Sequence, residues 1–125
     1  MTDTKTILIV DDVEDLRESL ADSFEIRGFK IVQAENGVDA LELMKSETVD
    51  VVLSDIRMPE MDGVELLKAI KQKDPRKPPV LIMSGFSDYD REQVTSLGAL
   101  DLVEKPFDFD QITEIINEAL KDINN

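Results

Sequence analysis

The chain has no cysteine, no histidine and no tryptophan, and only one tyrosine among 125 residues. Without Cys and His there is no disulfide, no thiolate nucleophile and no zinc site built on soft ligands. Nor can the chain carry a phosphoryl group on a histidine of its own. Oxygen is what remains for metal binding, and it suits Mg²⁺, Mn²⁺ or Ca²⁺. Positive charge is scarce too: 14 Lys and Arg stand against 28 Asp and Glu, a formal net charge of −14. That balance argues against electrostatic capture by nucleic acid or an anionic membrane. No apolar run approaches the ~18 residues that span a bilayer, and Met1-Thr2-Asp3-Thr4-Lys5 lacks a signal-peptide pattern. These absences predict a cytoplasmic protein.

Hydrophobic residues nevertheless make up 42% of the chain, enough for a globular core, and the length fits one domain over residues 1–125. No internal repeat, low-complexity stretch or composition break suggests a second domain, so neither an effector nor a DNA-binding unit is expected within it. One basic stretch, Lys68, Lys71, Lys73, Arg76 and Lys77, runs into Asp74-Pro75-Arg76-Lys77-Pro78-Pro79. It reads as a solvated helix end and loop, because cations are favourable near a helix C-terminus.

Apolar runs at Ile7 to Val10, Lys30 to Ala34, Val49 to Leu53, Val80 to Met83 and Leu100 to Val103 alternate with helical patterns. Most are continuously apolar, as expected of strands covered on both faces of a parallel sheet. Between them Val13, Leu16, Leu20 and Phe24 recur at helical spacing. So do Leu41 and Met44, then Val64, Leu67 and Ile70, and the last helix marks one face with Ile112, Ile115, Ile116, Ala119, Leu120 and Ile123. Asp62 with Glu65 and Asp108 with Gln111 have capping-box spacing. The fourth helix, roughly Asp88 to Leu97, has only Val94 and Leu97 as anchors and should be the least firmly packed. The expected fold is α/β: a (βα)₅ doubly wound three-layer sandwich on a parallel five-stranded sheet of flavodoxin-like order 2-1-3-4-5.

Open α/β sheets place their chemistry at the carboxyl edge, beside the topological switch point. There the first run ends in Asp11-Asp12, the third in Ser54-Asp55, the fourth in Ser84 and the fifth in Lys105-Pro106. Strands one and three are neighbours in the expected order, so Asp11, Asp12 and Asp55 fall close together. Three such carboxylates repel, and without a partner at least one should hold its proton more tightly than usual. A hard divalent cation removes the conflict, and Mg²⁺ keeps positions for water and phosphate oxygens. Lys105 would then neutralise a phosphate, and the Ser84 hydroxyl would hydrogen-bond to it. Each residue also has a plainer role open to it: Asp12 as the cap of the first helix, Asp55 and Ser84 as turn residues, and Lys105 as the flank of a turn with a cis proline.

Ile9-Val10-Asp11-Asp12, Ser54-Asp55-Ile56-Arg57-Met58-Pro59-Glu60-Met61-Asp62-Gly63, Met83-Ser84-Gly85 and Glu104-Lys105-Pro106-Phe107 closely resemble the receiver domain of two-component response regulators, along essentially the whole chain. The resemblance implies that Asp55 accepts a phosphoryl group from a histidine of a sensor kinase or phosphotransfer protein. It implies Mg²⁺, or Mn²⁺, held by Asp12, Asp55 and the backbone carbonyl of Arg57, with Asp11 acting through metal-bound water. It implies Lys105 and Ser84 on phosphoryl oxygens, no small-molecule turnover, and a downstream protein or a second copy meeting the fourth helix, fifth strand and fifth helix. The switch aromatic of the family is replaced here by Leu102, so Phe86 or Tyr89 is expected to contribute to the movement. Arg57 and Phe86 occupy positions that tune dephosphorylation in the family, and neither positions water, so a long-lived phosphorylated state is expected. Leu102 also keeps open a phosphorylation-independent docking or dimerisation module. An Asp-nucleophile phosphatase is disfavoured because Val13, not Asp, stands two residues after Asp11. Flavin binding is disfavoured because Asp11, Asp12, Glu14 and Asp15 would repel its phosphate.

Overall fold

In a computed structural model, which describes residues 4–85, 89–106 and 108–124, the apolar runs form one parallel sheet. Its strands are β1 (Thr6–Val10), β2 (Lys30–Ala34), β3 (Val51–Asp55), β4 (Val80–Ser84) and β5 (Asp101–Glu104). The helices between and after them are α1 (Glu14–Ile26), α2 (Gly37–Ser46), α3 (Gly63–Lys73), α4 (Arg91–Ser96) and α5 (Phe109–Asn124). The strand order is β2-β1-β3-β4-β5, as expected. Among the described residues no helix is long and apolar enough to cross a membrane.

The strand period of two divides the core. Leu8, Val10, Val52, Val80, Ile82 and Leu102 join Val64, Leu67, Ile70 and Val94 on the face covered by α2, α3 and α4. Ile7, Ile9, Val51, Leu53, Leu81, Met83 and Val103 join Leu20, Phe24, Ile112 and Ile116 under α1 and α5. β1, β3 and β4 are therefore buried along their whole length, whereas β2 and β5 are partly exposed edges.

Several boundaries differ from the sequence expectation, among them the starts of β3, β5 and α4. β3 begins at Val51 rather than Val49, because the Asp50 carboxylate accepts the Thr6 N–H at 2.7 Å and ends the ladder there. β5 begins at Asp101, after a solvent-exposed Leu100. α4 is shorter than expected. It starts after Asp90, whose side chain accepts the Gln93 N–H while Gln93 reaches back to the Asp90 N–H. The proposed start at Asp88 lies outside the described residues. Both Lys77-Pro78 and Lys105-Pro106 are cis peptides.

Candidate functional site

Strand register builds the site. Val10 pairs with Ser54, so the next residues, Asp11 and Asp55, leave adjacent strands side by side. Asp55 pairs with Met83, and Ser84 pairs with Glu104, which brings Ser84 and Lys105 to the same edge. The Lys105 ammonium reaches back across β4 to 3.3 Å from Asp55 Oδ2 and 3.8 Å from Asp11 Oδ2. Asp11, Asp12 and Asp55 each offer one carboxylate oxygen, all within 4.8 Å of one another.

The three carboxylates are not equivalent. Asp11 is wholly buried, Asp55 is 7% exposed and Asp12 is open to solvent. Asp12 does not cap α1: Val13 stands at the N-cap without a side-chain bond, and Asp11 Oδ1 accepts the Val13 N–H at 2.9 Å. Asp11 Oδ2 has no hydrogen-bond partner. Burial pushes the Asp11 carboxyl above its ordinary pKa. The Val13 N–H opposes that rise, Asp55 adds to it, Lys105 opposes it again and Asp12 adds further. This is the repulsion anticipated from the sequence, with burial as the larger cause.

The loop after β3 is shaped by two glycines. Asp62 and Glu65 form a capping box at the start of α3, with bonds of 2.8 and 3.2 Å. A Cβ on Gly63 would overlap the Asp55 carbonyl oxygen, and the Gly63 N–H donates to the Ile56 carbonyl at 2.8 Å. One on Gly37 would lie 2.9 Å from the Met61 carbonyl oxygen. Glu60 takes a left-handed φ of 69° to turn the loop, a conformation that costs a residue with a side chain. Asp55 Oδ1 accepts the Ile56 N–H at 2.8 Å, which orients the carboxylate.

Of the remaining expected site residues, Arg57 lies in this loop with its side chain exposed. Ser84 is buried at the end of β4, and Leu102 is buried in the core beneath α4. Tyr89 is 37% exposed. Phe86 lies outside the described residues. Sequence reading passed over Arg17. Its Nη1 donates to the Asp11 carbonyl at 2.7 Å, and its Nε donates to Gln33 Oε1 at 3.1 Å. The available signal was its position as the one cation in α1, amid Glu14, Asp15, Glu18, Asp22 and Glu25.

Residues 7–117 match the family described as the response regulator receiver domain. The chain is 41% identical over 122 residues to the regulatory protein AtoC of Escherichia coli (strain K12), covering 97% of this chain and 26% of that one. It is 40% identical over 115 residues to sporulation initiation phosphotransferase F of Bacillus subtilis (strain 168), covering 91% and 92%. Among solved structures, the response regulator protein TrrA from Thermotoga maritima, in complex with Mg²⁺-BeF, superposes with a TM-score of 0.84 at 34% identity over 93% of this chain and 99% of that one. The chain belongs to the response regulator receiver family, whose members are phosphoacceptors in phosphorelay signalling and work with histidine kinases. It spans about a quarter of the length of relatives such as AtoC and nearly all of the sporulation phosphotransferase.

Receiver domains bind Mg²⁺ at an aspartate cluster, and Asp11, Asp12 and Asp55 form that cluster here. The donor set fits such an ion: it is all oxygen, and Asp11 Oδ2 is a buried anionic atom lacking a hydrogen bond.

Proposed function

We propose that Asp55 accepts a phosphoryl group from a histidine of a partner kinase or phosphotransfer protein, and that the aspartyl phosphate changes how the domain binds a downstream protein. The observation that carries this is the meeting of three carboxylates and the Lys105 ammonium at one sheet edge. An Asp55 carboxylate oxygen attacks phosphorus. The O–P bond forms as the P–N bond to the partner's imidazole breaks, and that electron pair returns to the ring nitrogen. Lys105, now 3.3 Å from Asp55 Oδ2, exchanges that carboxylate for a phosphoryl oxygen, while the Ser84 hydroxyl donates to another. Asp12, Asp55 and the Arg57 backbone carbonyl would hold Mg²⁺, with Asp11 acting through metal-bound water, and the ion would supply charge neutralisation, which together with positioning accounts for most phosphoryl-transfer catalysis.

The output face is α4, β5 and α5, for a target protein or a second copy. Ser84 pairs with Glu104 on β5, and Leu102 of that strand shares a core cluster with Val94 of α4, so movement of Ser84 toward a phosphoryl group reaches α4 through β5, with Tyr89 just before the helix. Leu102 has no hydroxyl to hydrogen-bond, and this favours a second reading, a docking module indifferent to phosphate. Equal partner affinity with and without phosphorylation would establish that reading.

The test is intact mass after incubation with phosphoramidate, with and without Mg²⁺. The wild type is expected to gain one phosphoryl group only with Mg²⁺, and Asp55→Asn to gain none. No gain in the wild type under conditions where Mg²⁺ binds would overturn the proposal.

A further inference from the structure

The Asp11 residue is held on every side but one. Its N–H donates to the Ala34 carbonyl at 3.1 Å, its Oδ1 accepts from Val13, and its carbonyl accepts from Arg17 Nη1 at 2.7 Å. Oδ2 alone is left without a hydrogen bond, 3.8 Å from the Lys105 ammonium. Arg17 is itself braced, because its Nε donates to Gln33 on β2, and Gln33 pairs in register with Ile9 on β1. A planar guanidinium holding two acceptors at fixed angles is a stiff link, stiffer than an ammonium could provide.

From this geometry we infer that Arg17, braced by Gln33, is a positioning residue that holds the Asp11-Asp12 turn in the shape that receives a divalent cation. The inference rests on the phosphoryl-site reading above and deepens it. Two effects of Arg17 oppose each other. A cation beside a carboxylate cluster should weaken metal binding by charge alone, whereas fixing the ligands before the ion arrives should strengthen it. The sign of the change on removing Arg17 therefore separates positioning from simple charge. Arg17 and Gln33 line an open cleft of about 480 Å³ between α1 and α2. Water can replace a lost bond there, so metal affinity is a sharper readout than stability.

The experiment measures Mg²⁺ affinity of the full chain by titration calorimetry, together with the Mg²⁺ dependence of phosphorylation by phosphoramidate. Arg17→Gln is expected to weaken Mg²⁺ binding about tenfold, the scale of one charge-assisted hydrogen bond. Gln33→Ala, which keeps the charge, should weaken it about threefold, and Arg17→Lys should fall between Arg17→Gln and wild type. The half-saturating Mg²⁺ concentration should shift more than the maximal phosphorylation rate. Arg27→Gln, the same charge loss beyond the far end of α1, should leave Mg²⁺ affinity unchanged. Unchanged or tighter Mg²⁺ binding by Arg17→Gln overturns the inference alone, and unchanged binding by Gln33→Ala does so if Arg17→Gln fails to fold. Absence of Mg²⁺ binding by the wild type overturns it together with the site reading.

Discussion

The two sides of the sheet's carboxyl edge are built to different standards. On the β1 and β3 side, the carboxylate loops are tied down by backbone bonds and backed by α3, which has 11 residues and buries Gly63, Val64, Leu66, Leu67 and Ile70. On the β5 side, α4 has six residues and buries only Val94. Both helices open with a complete capping box, so the local start signal is equal and packing makes the difference. The front of α4 is tethered to β5 by Arg91, through Asp101 at 2.6 Å and the Leu102 carbonyl at 3.3 Å. Arg91 is 65% exposed, and surface ion pairs contribute at most about 1 kcal/mol. A firmly backed site beside a lightly packed helix is what the proposed function asks for, fixed geometry for the chemistry and an element free to move for the output.

The contrast can be broken most strongly at the core. Leu67→Ala in α3 should cost about 2–5 kcal/mol of global stability in urea unfolding. Val94→Ala should cost less, and its main signature should be faster amide exchange confined to α4. If the two variants lose equal global stability, the two sides are equally bound and the contrast fails.

Asp11 sharpens the picture from the other side. Its folded pKa is raised above 3.8, so the folded protein binds that proton more tightly than the unfolded chain does. The group adds stability as pH falls through the raised value toward 3.8 and costs stability once ionised. Asp11→Asn should therefore stabilise the metal-free protein at neutral pH by about 1–3 kcal/mol. The gain should shrink as pH is lowered, and shrink again when Mg²⁺ is added, because the variant binds the ion less tightly. Urea midpoints with and without Mg²⁺ measure this, and a destabilised Asp11→Asn at neutral pH would contradict it.

Caps give a smaller effect. Asp62→Ala should lower global stability by about 1 kcal/mol, whereas Asp90→Ala should appear mainly as local opening of α4 in hydrogen exchange. Smallest of all, Arg91→Gln should change the urea midpoint by no more than about 0.5–1 kcal/mol while raising exchange at the start of α4.

Much of this was readable from residue order. Continuous apolar runs named the buried parallel strands, and Asp62 with Glu65 named the start of α3. Asp11, Asp12, Asp55, Ser84 and Lys105 were placed together because each ends a run. The start of α4 was hard to place because its apolar anchors, Val94 and Leu97, both lie late in the segment, and the capping box of Asp90 and Gln93 sets it. The start of β3 was misplaced because Val49 is as apolar as Val51, and only the Asp50 bond to Thr6 separates them. Nothing local announced that Arg17 turns toward the Asp11 carbonyl.

By itself, then, the order of residues determined the α/β class, the strand order and which side chains meet at the carboxyl edge. Periodicity and the ends of apolar runs are local properties, and parallel crossovers leave few ways to connect them. Only the tertiary structure decided that Asp11 is buried with one oxygen unsatisfied while its neighbour Asp12 faces solvent, and that Arg17 and Gln33 brace that turn. Those outcomes depend on which groups from α1, β2 and β5 meet across the sheet edge. Burial and hydrogen bonding at that meeting are set by distant residues, and no local pattern encodes them.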